Sequence, residues 1–183
     1  GLGVIGFDEA RISGGAVRWI DDAAGQDIRV SDIDARLSLP SAEARARLEV
    51  EASYAGAALS LEAAVEGVGP LLEGQVRNAA LSLDWDGGSA GFTGRVSLAP
   101  AFDGDVSLEA RDISPLLGLA GIVMPDLPEG LGRDRIDASG RVTFTDAGTA
   151  HLRGGAIRLD DNRLEAELDM QPGRDRPRVS GLI

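Results

Sequence analysis

The side chains with the most capacity for chemistry in this sequence are its thirty carboxylates and its single histidine, His151. Carboxylates bind calcium when several oxygens converge from one loop, at spacings such as D-x-D-x-D-G. The stretch Asp84-Trp85-Asp86-Gly87 comes nearest to that pattern and lacks a third acid at the right offset. Asp21-Asp22 and Asp160-Asp161 stand where the chain is expected to reverse, and acids in turns serve turn geometry. No metal site is expected from them. One histidine gives neither a zinc cluster nor a partnered nucleophile, so His151 reads as a solvated strand residue. Hydrolysis by paired carboxylates needs two acids held across a cleft, one with a raised pKa. Thirty acids form pairs by chance, so such pairs have no specificity. The absence of cysteine excludes disulfides, thiolate metal sites and thiol nucleophiles, and suits cytoplasm or periplasm alike. Gly87-Gly88 and Gly154-Gly155 precede no Gly-Lys-Ser/Thr and no long helix, so no phosphate loop is present. The expectation is a protein with no catalytic residue, no metal and no cofactor, and not an enzyme.

The elements that would position any site are strands. From Ile28 to Leu39 the apolar residues Ile33, Ala35, Leu37 and Leu39 alternate with Asp32, Asp34, Arg36 and Ser38. A period of two puts all the apolar side chains on one face. With the run through Val17, Arg18 and Trp19 and the turn Asp21–Gly25, this reads as a hairpin with a loop. The same device recurs. Pro40-Ser41 breaks the chain, then Ala44, Ala46, Leu48, Val50 and Ala52 face one way. Tyr54-Ala55-Gly56 turns it, and Leu59, Leu61, Ala63 and Val65 follow. After a break at Gly67–Pro70 come Ala79, Leu81, Leu83 and Trp85, the turn Asp86-Gly87-Gly88, then Phe92, Val96 and Leu98. Phe102, Val106, Leu108 and Ala110 line the next strand.

Residues 112–132 read differently, as a helix-containing insertion or cap. Ser114 suits an N-cap with Pro115 at the first helical position, Gly121 can close the helix, and Pro125 and Pro128 stop its continuation. One short helix near 114–121 is predicted, with a buried apolar loop as the alternative. Strands resume through Ile136, Ala138, Val142 and Phe144. Further strands follow through Ile157 and Leu159, through Leu164, Ala166, Leu168 and Met170, and from Val179 to the end. The fold class is mainly β: an antiparallel meander of about eleven strands with one short helix, forming a single domain over 1–183.

Hydrophobic content of 43% with 26% charged argues for an ordered chain, and aromatics at 4% leave Leu, Val, Ile and Ala to build any core. A net charge of −12 without a basic stripe disfavours nucleic acid and anionic membrane surfaces. No run approaches the roughly 18 apolar residues of a spanning helix. The chain opens on Gly1 and stops in mid-pattern at Ile183, so an excised piece of a longer protein is expected. Eleven one-sided strands must cover their apolar face. A closed sandwich or barrel would do so internally. A curved sheet would instead leave an apolar trough open to lipid chains. Periodicity alone does not choose between them. A carbohydrate-binding or adhesive module would need more aromatic platforms than two Trp and one Tyr.

The motif Ile12-Ser13-Gly14-Gly15-Ala16-Val17-Arg18-Trp19-Ile20-Asp21, with Gly25 and Val30-Ser31-Asp32-Ile33-Asp34, resembles the AsmA family of bacterial envelope proteins. Leu108–Leu117 is similar to that family's strand-to-helix passage. Ala156–Asp160, Leu164–Leu168 and Arg176–Gly181 resemble its closing strands. The likeness is spread over the whole chain, though its motifs are degenerate. It implies a periplasmic β segment of a protein anchored in the inner membrane through a helix outside this chain. It also implies a role in outer-membrane assembly or phospholipid transport, in kinship with TamB and the bridge-like lipid-transfer proteins. No catalytic residue is carried over. The implied partner is phospholipid or another acyl lipid. Its groove maps onto Leu81, Leu83, Trp85, Phe92, Val96, Leu98, Val106 and Leu108. The alternative is a closed β-sandwich scaffold that binds an envelope assembly protein.

Overall fold

The alternation becomes one antiparallel sheet whose strands lie side by side in chain order, because most connections are short and return the next strand beside the last. The longer ones at 67–76 and 111–135 do so through a helical segment. The computed structural model describes residues 6–21, 26–99, 101–122, 128, 130–173 and 178–182. Its strands are β1 (Phe7–Asp21), β2 (Gln26–Leu39), β3 (Arg45–Tyr54), β4 (Ala57–Glu66), β5 (Arg77–Trp85) and β6 (Gly88–Ser97). There follow β7 (Ala101–Ala110), β8 (Ile136–Phe144), β9 (Ala150–Leu159), β10 (Asn162–Gln171) and β11 (Arg178–Leu182). Two short helices interrupt them, α1 (Val68–Leu72) between β4 and β5 and α2 (Ser114–Leu119) between β7 and β8. Among the described residues β1 pairs only with β2 and β11 only with β10, so the sheet stays open. The closed sandwich or barrel does not form. No helix among the described residues is long and apolar enough to cross a membrane.

An open single sheet buries little. The chain exposes 12086 Å², where a compact monomer of its mass would expose about 8,400 Å². Only Ala46, Leu59, Trp85, Ala110 and Ala166 are buried apolar residues among those described.

Several local expectations are corrected. The break at Gly67–Pro70 holds a helical turn: Gly67, at φ 70°, precedes α1, and Gly69 N–H donates to the Ala42 carbonyl at 2.8 Å. In α2 the N-cap is Ile113 and Ser114 is already helical. Asp112 supplies the capping oxygen, its Oδ1 accepting from Ser114 N–H at 2.9 Å; the Ser114 hydroxyl first, and this N–H after it, lower the Asp112 pKa. The C-terminal end follows the expected pattern. Gly121 takes φ 69°, Ile122 N–H reaches the Leu117 carbonyl at 2.7 Å and Gly121 N–H the Gly118 carbonyl at 3.0 Å. The expected features at Asp22–Gly25, Pro125, Arg176-Pro177 and Ile183 lie outside the described residues.

Candidate functional site

Residues paired directly across antiparallel strands share a face, and the register sorts the sheet into one apolar and one charged side. On the apolar side, Val50, Leu61, Leu83, Ala90, Leu108, Ala138 and Ile157 form one continuous row across seven strands. Leu48, Ala63, Leu81, Phe92 and Val106 form the next, and Val96, Phe102 and Phe144 belong to a third. The sequence-predicted residues other than Leu98 therefore do fall on one face.

That face holds a hollow of about 670 Å³. Its lining comes from six consecutive strands, including Leu37, Leu48, Val65, Leu81, Phe92, Val96 and Val106, together with Val68 of α1. A hollow walled by six neighbouring strands requires the sheet to bow around it. Five inter-strand steps of about 4.8 Å make its wall about 24 Å wide, measured along the sheet across the strands. One leaflet of a bilayer's ~30 Å hydrocarbon core is about 15 Å deep. The wall is thus wider than the depth that one leaflet's acyl chains occupy. Phe92 meets Phe102 edge-on at 5.9 Å, and Phe102 stacks on Phe144 at 5.5 Å, so aromatics continue the surface into β8. Phe92 lies flat because Gly94 and Gly104 are beneath it. A Cβ at Gly104 would come within 2.7 Å of its ring.

The eight expected residues divide three ways. Leu81, Phe92, Val96 and Val106 line the trough. Trp85, Leu83 and Leu108 belong to a covered cluster with Leu59 and Ala110, over which Ile113, Leu116 and Leu119 are packed. Trp85 is only 7% exposed, and its Nε1–H donates to the Asp112 carbonyl at 2.6 Å, tying the start of α2 to β5. The far end of α2 reaches Gln26 of β2, whose Nε2 donates to the Gly121 carbonyl at 3.2 Å. Leu98 lies beyond the end of β6, in the turn before β7, 54% exposed and away from the lining. Alternation runs on past the strand end in the sequence, so it could not mark where the sheet stops.

The opposite face holds the charges. Asp103 accepts from Arg141 Nη2 at 2.7 Å, Arg95 Nη2 at 2.9 Å and Thr143 Oγ1 at 3.1 Å, which holds its pKa far below the usual carboxylate range. A polar depression of about 380 Å³ lies around this group, floored by Ala64, Ala80, Gly94 and Gly104. Its cations and acids largely neutralise one another. These ion pairs are exposed and screened by solvent, so each contributes little to stability. His151 is not simply solvated: Nδ1 lies 2.5 Å from Asp169 Oδ1, and Arg153 Nη2 donates to the same oxygen at 2.6 Å. Both contacts lower the Asp169 pKa, His151 foremost. Asp160, expected only to shape a turn, also organises a loop. Its carboxylate accepts from the backbone N–H groups of Gly132, Arg133, Asp134 and Arg135 at 2.9–3.2 Å, and its pKa is lowered, chiefly by the Asp134 N–H. No sequence signal marks this reach of 25 to 28 residues. Among the described residues no group of three or more His, Asp or Glu is placed to hold a metal ion.

No family model, curated protein or solved structure matches the chain.

Proposed function

We propose that this chain is a non-enzymatic segment of an AsmA-like envelope protein that presents its apolar sheet face to acyl lipid. In this reading it lies in the periplasm, carried by a protein anchored in the inner membrane. It serves phospholipid transport or outer-membrane assembly by letting an acyl chain partition along the trough. The observation that carries the reading is the hollow of about 670 Å³ lined by apolar side chains from six strands, on a sheet that does not close over it. Each CH₂ moved from water onto that surface contributes roughly 0.8 kcal/mol. The family likeness of the Ile12–Asp34 hairpin supports the same reading.

Native mass spectrometry with lipid extraction tests it, on the segment purified from a bacterial envelope in mild detergent. Co-purifying phospholipid is expected, and Val96→Asp should remove it while the circular dichroism and the thermal transition are retained. A lipid-free protein, or lipid retained equally by Val96→Asp, would sink the reading and leave partner binding along an edge strand.

A further inference from the structure

From β3 to β8 the strand positions on the apolar face carry one charged side chain, Arg77. It is the first residue of β5 and pairs with Val96, which in turn pairs with Phe102. Val96 and Ala79, its neighbours across and along the sheet, both line the trough. Its Nε lies beside Gly67, the residue that leads into Val68, and Val68 is part of the same lining. The guanidinium therefore stands beside the α1 wall, next to the lining rather than in it; the one charged residue of the lining itself is Arg47 of β3.

Arg77 differs in its partners from the best-paired arginines of the other face. Arg18, Arg95, Arg141 and Arg153 each contact a carboxylate. Among the described residues no carboxylate comes within 4.0 Å of the Arg77 nitrogens. Nη2 donates to Gln75 Oε1 at 2.5 Å and Nη1 weakly to the Val76 carbonyl at 3.4 Å. Glu73 reaches only Gln75, accepting from its Nε2 at 3.4 Å. A guanidinium has five donors in a planar fork that suits carboxylate and phosphate. Two neutral acceptors leave that fork unfilled.

We infer that Arg77 anchors the anionic head group, carboxylate or phosphate, of an acyl lipid whose chain lies in the trough. This deepens the lipid reading and rests on it: the ligand becomes an anionic amphiphile with its head at the α1 wall. An ion pair at the mouth of an apolar hollow fixes which end of the chain enters and favours acids over neutral esters.

The test is displacement of the neutral probe N-phenyl-1-naphthylamine from the full chain by palmitate, methyl palmitate, 1-palmitoyl lysophosphatidate and inorganic phosphate. Palmitate or lysophosphatidate should compete on the order of tenfold better than methyl palmitate, the difference one charge-assisted hydrogen-bonded pair makes. Whichever of the two competes better identifies the head group. Arg77→Gln should abolish the preference while leaving methyl palmitate and the probe unchanged, and Arg77→Lys should keep most of it. Equal competition by acid and ester, or a preference that survives Arg77→Gln, overturns the anchor while leaving an acyl trough intact. Competition by inorganic phosphate alone would put a free anion at Arg77 and also overturn it. Failure of every acyl compound and of the probe to bind defeats the trough and the anchor together.

Discussion

Trp85 and Leu81 stand four residues apart on β5, on the same face of the same sheet, and differ in what lies over them. Trp85 is 7% exposed beneath α2, while Leu81 is 42% exposed in the trough. The alternation that placed them on one face is identical. The difference arises from a six-residue helix of composition SPLLGL, whose apolar side chains cover one side of the face and leave the other bare. Stability is therefore concentrated at the α2 side, where apolar groups leave water on folding. In the trough, apolar side chains remain available to something other than the protein itself.

The sharpest way to break this comparison is a pair of truncations. Trp85→Ala should cost about 3–5 kcal/mol, since it removes a buried aromatic platform and the bond to Asp112. Leu81→Ala should cost about 1 kcal/mol or less, because half-exposed positions lose little on truncation. Urea denaturation of both variants checks it, and equal losses would mean that the trough is as much a core as the α2 cluster. A smaller effect is expected at the hinge of the cover. Gly121→Ala places a Cβ at φ 69° and against the Gln26 amide, and should cost about 1–2 kcal/mol, with a red shift in tryptophan emission as α2 loosens from Trp85. Stability unchanged in that variant would mean the seating of α2 does not depend on its C-terminal cap.

The smallest effect belongs to the charged face, and it depends on pH. Asp103, Asp160 and Asp169 have pKa values lowered in the folded state by the donors around them. A depressed carboxylate contributes stability that is fully present above its unfolded pKa of about 3.9 and is lost as pH falls through the folded value. The thermal midpoint should accordingly respond little to these groups above about pH 5 and fall below about pH 4. Asp160→Asn should lower the midpoint at neutral pH, because the four N–H groups of 132–135 lose their charged acceptor, and should shallow the acid slope. A slope unchanged by that substitution would mean that the turn does not depend on the ionised side chain.

Much of the fold was legible because its rules are local. A period of two, punctuated by Ala55-Gly56, Asp86-Gly87 and Asp160-Asp161, needs only neighbouring residues to be recognised, and each of these pairs does join consecutive strands. The helix α1 was not legible, since its five residues include a glycine and a proline and look like a break. Ser114 was read as the cap because serine favours that position, but Asp112 reaches the amide first. His151 and Asp169 are 18 residues apart and meet only through the β9–β10 register.

The sequence by itself determined the mainly β class, the order of the meander and which side chains share a face, since strand periodicity and turn chemistry act within a few residues. Only the tertiary structure decided that the sheet stays open, that α2 covers Trp85 but not Leu81, and that Arg77 stands beside Gly67 at the edge of the trough. Those outcomes depend on how strands far apart in sequence bow together and on what crosses over them. The reason is physical: apolar residues gain by leaving water wherever a neighbour can cover them, and alternation carries no record of the neighbour.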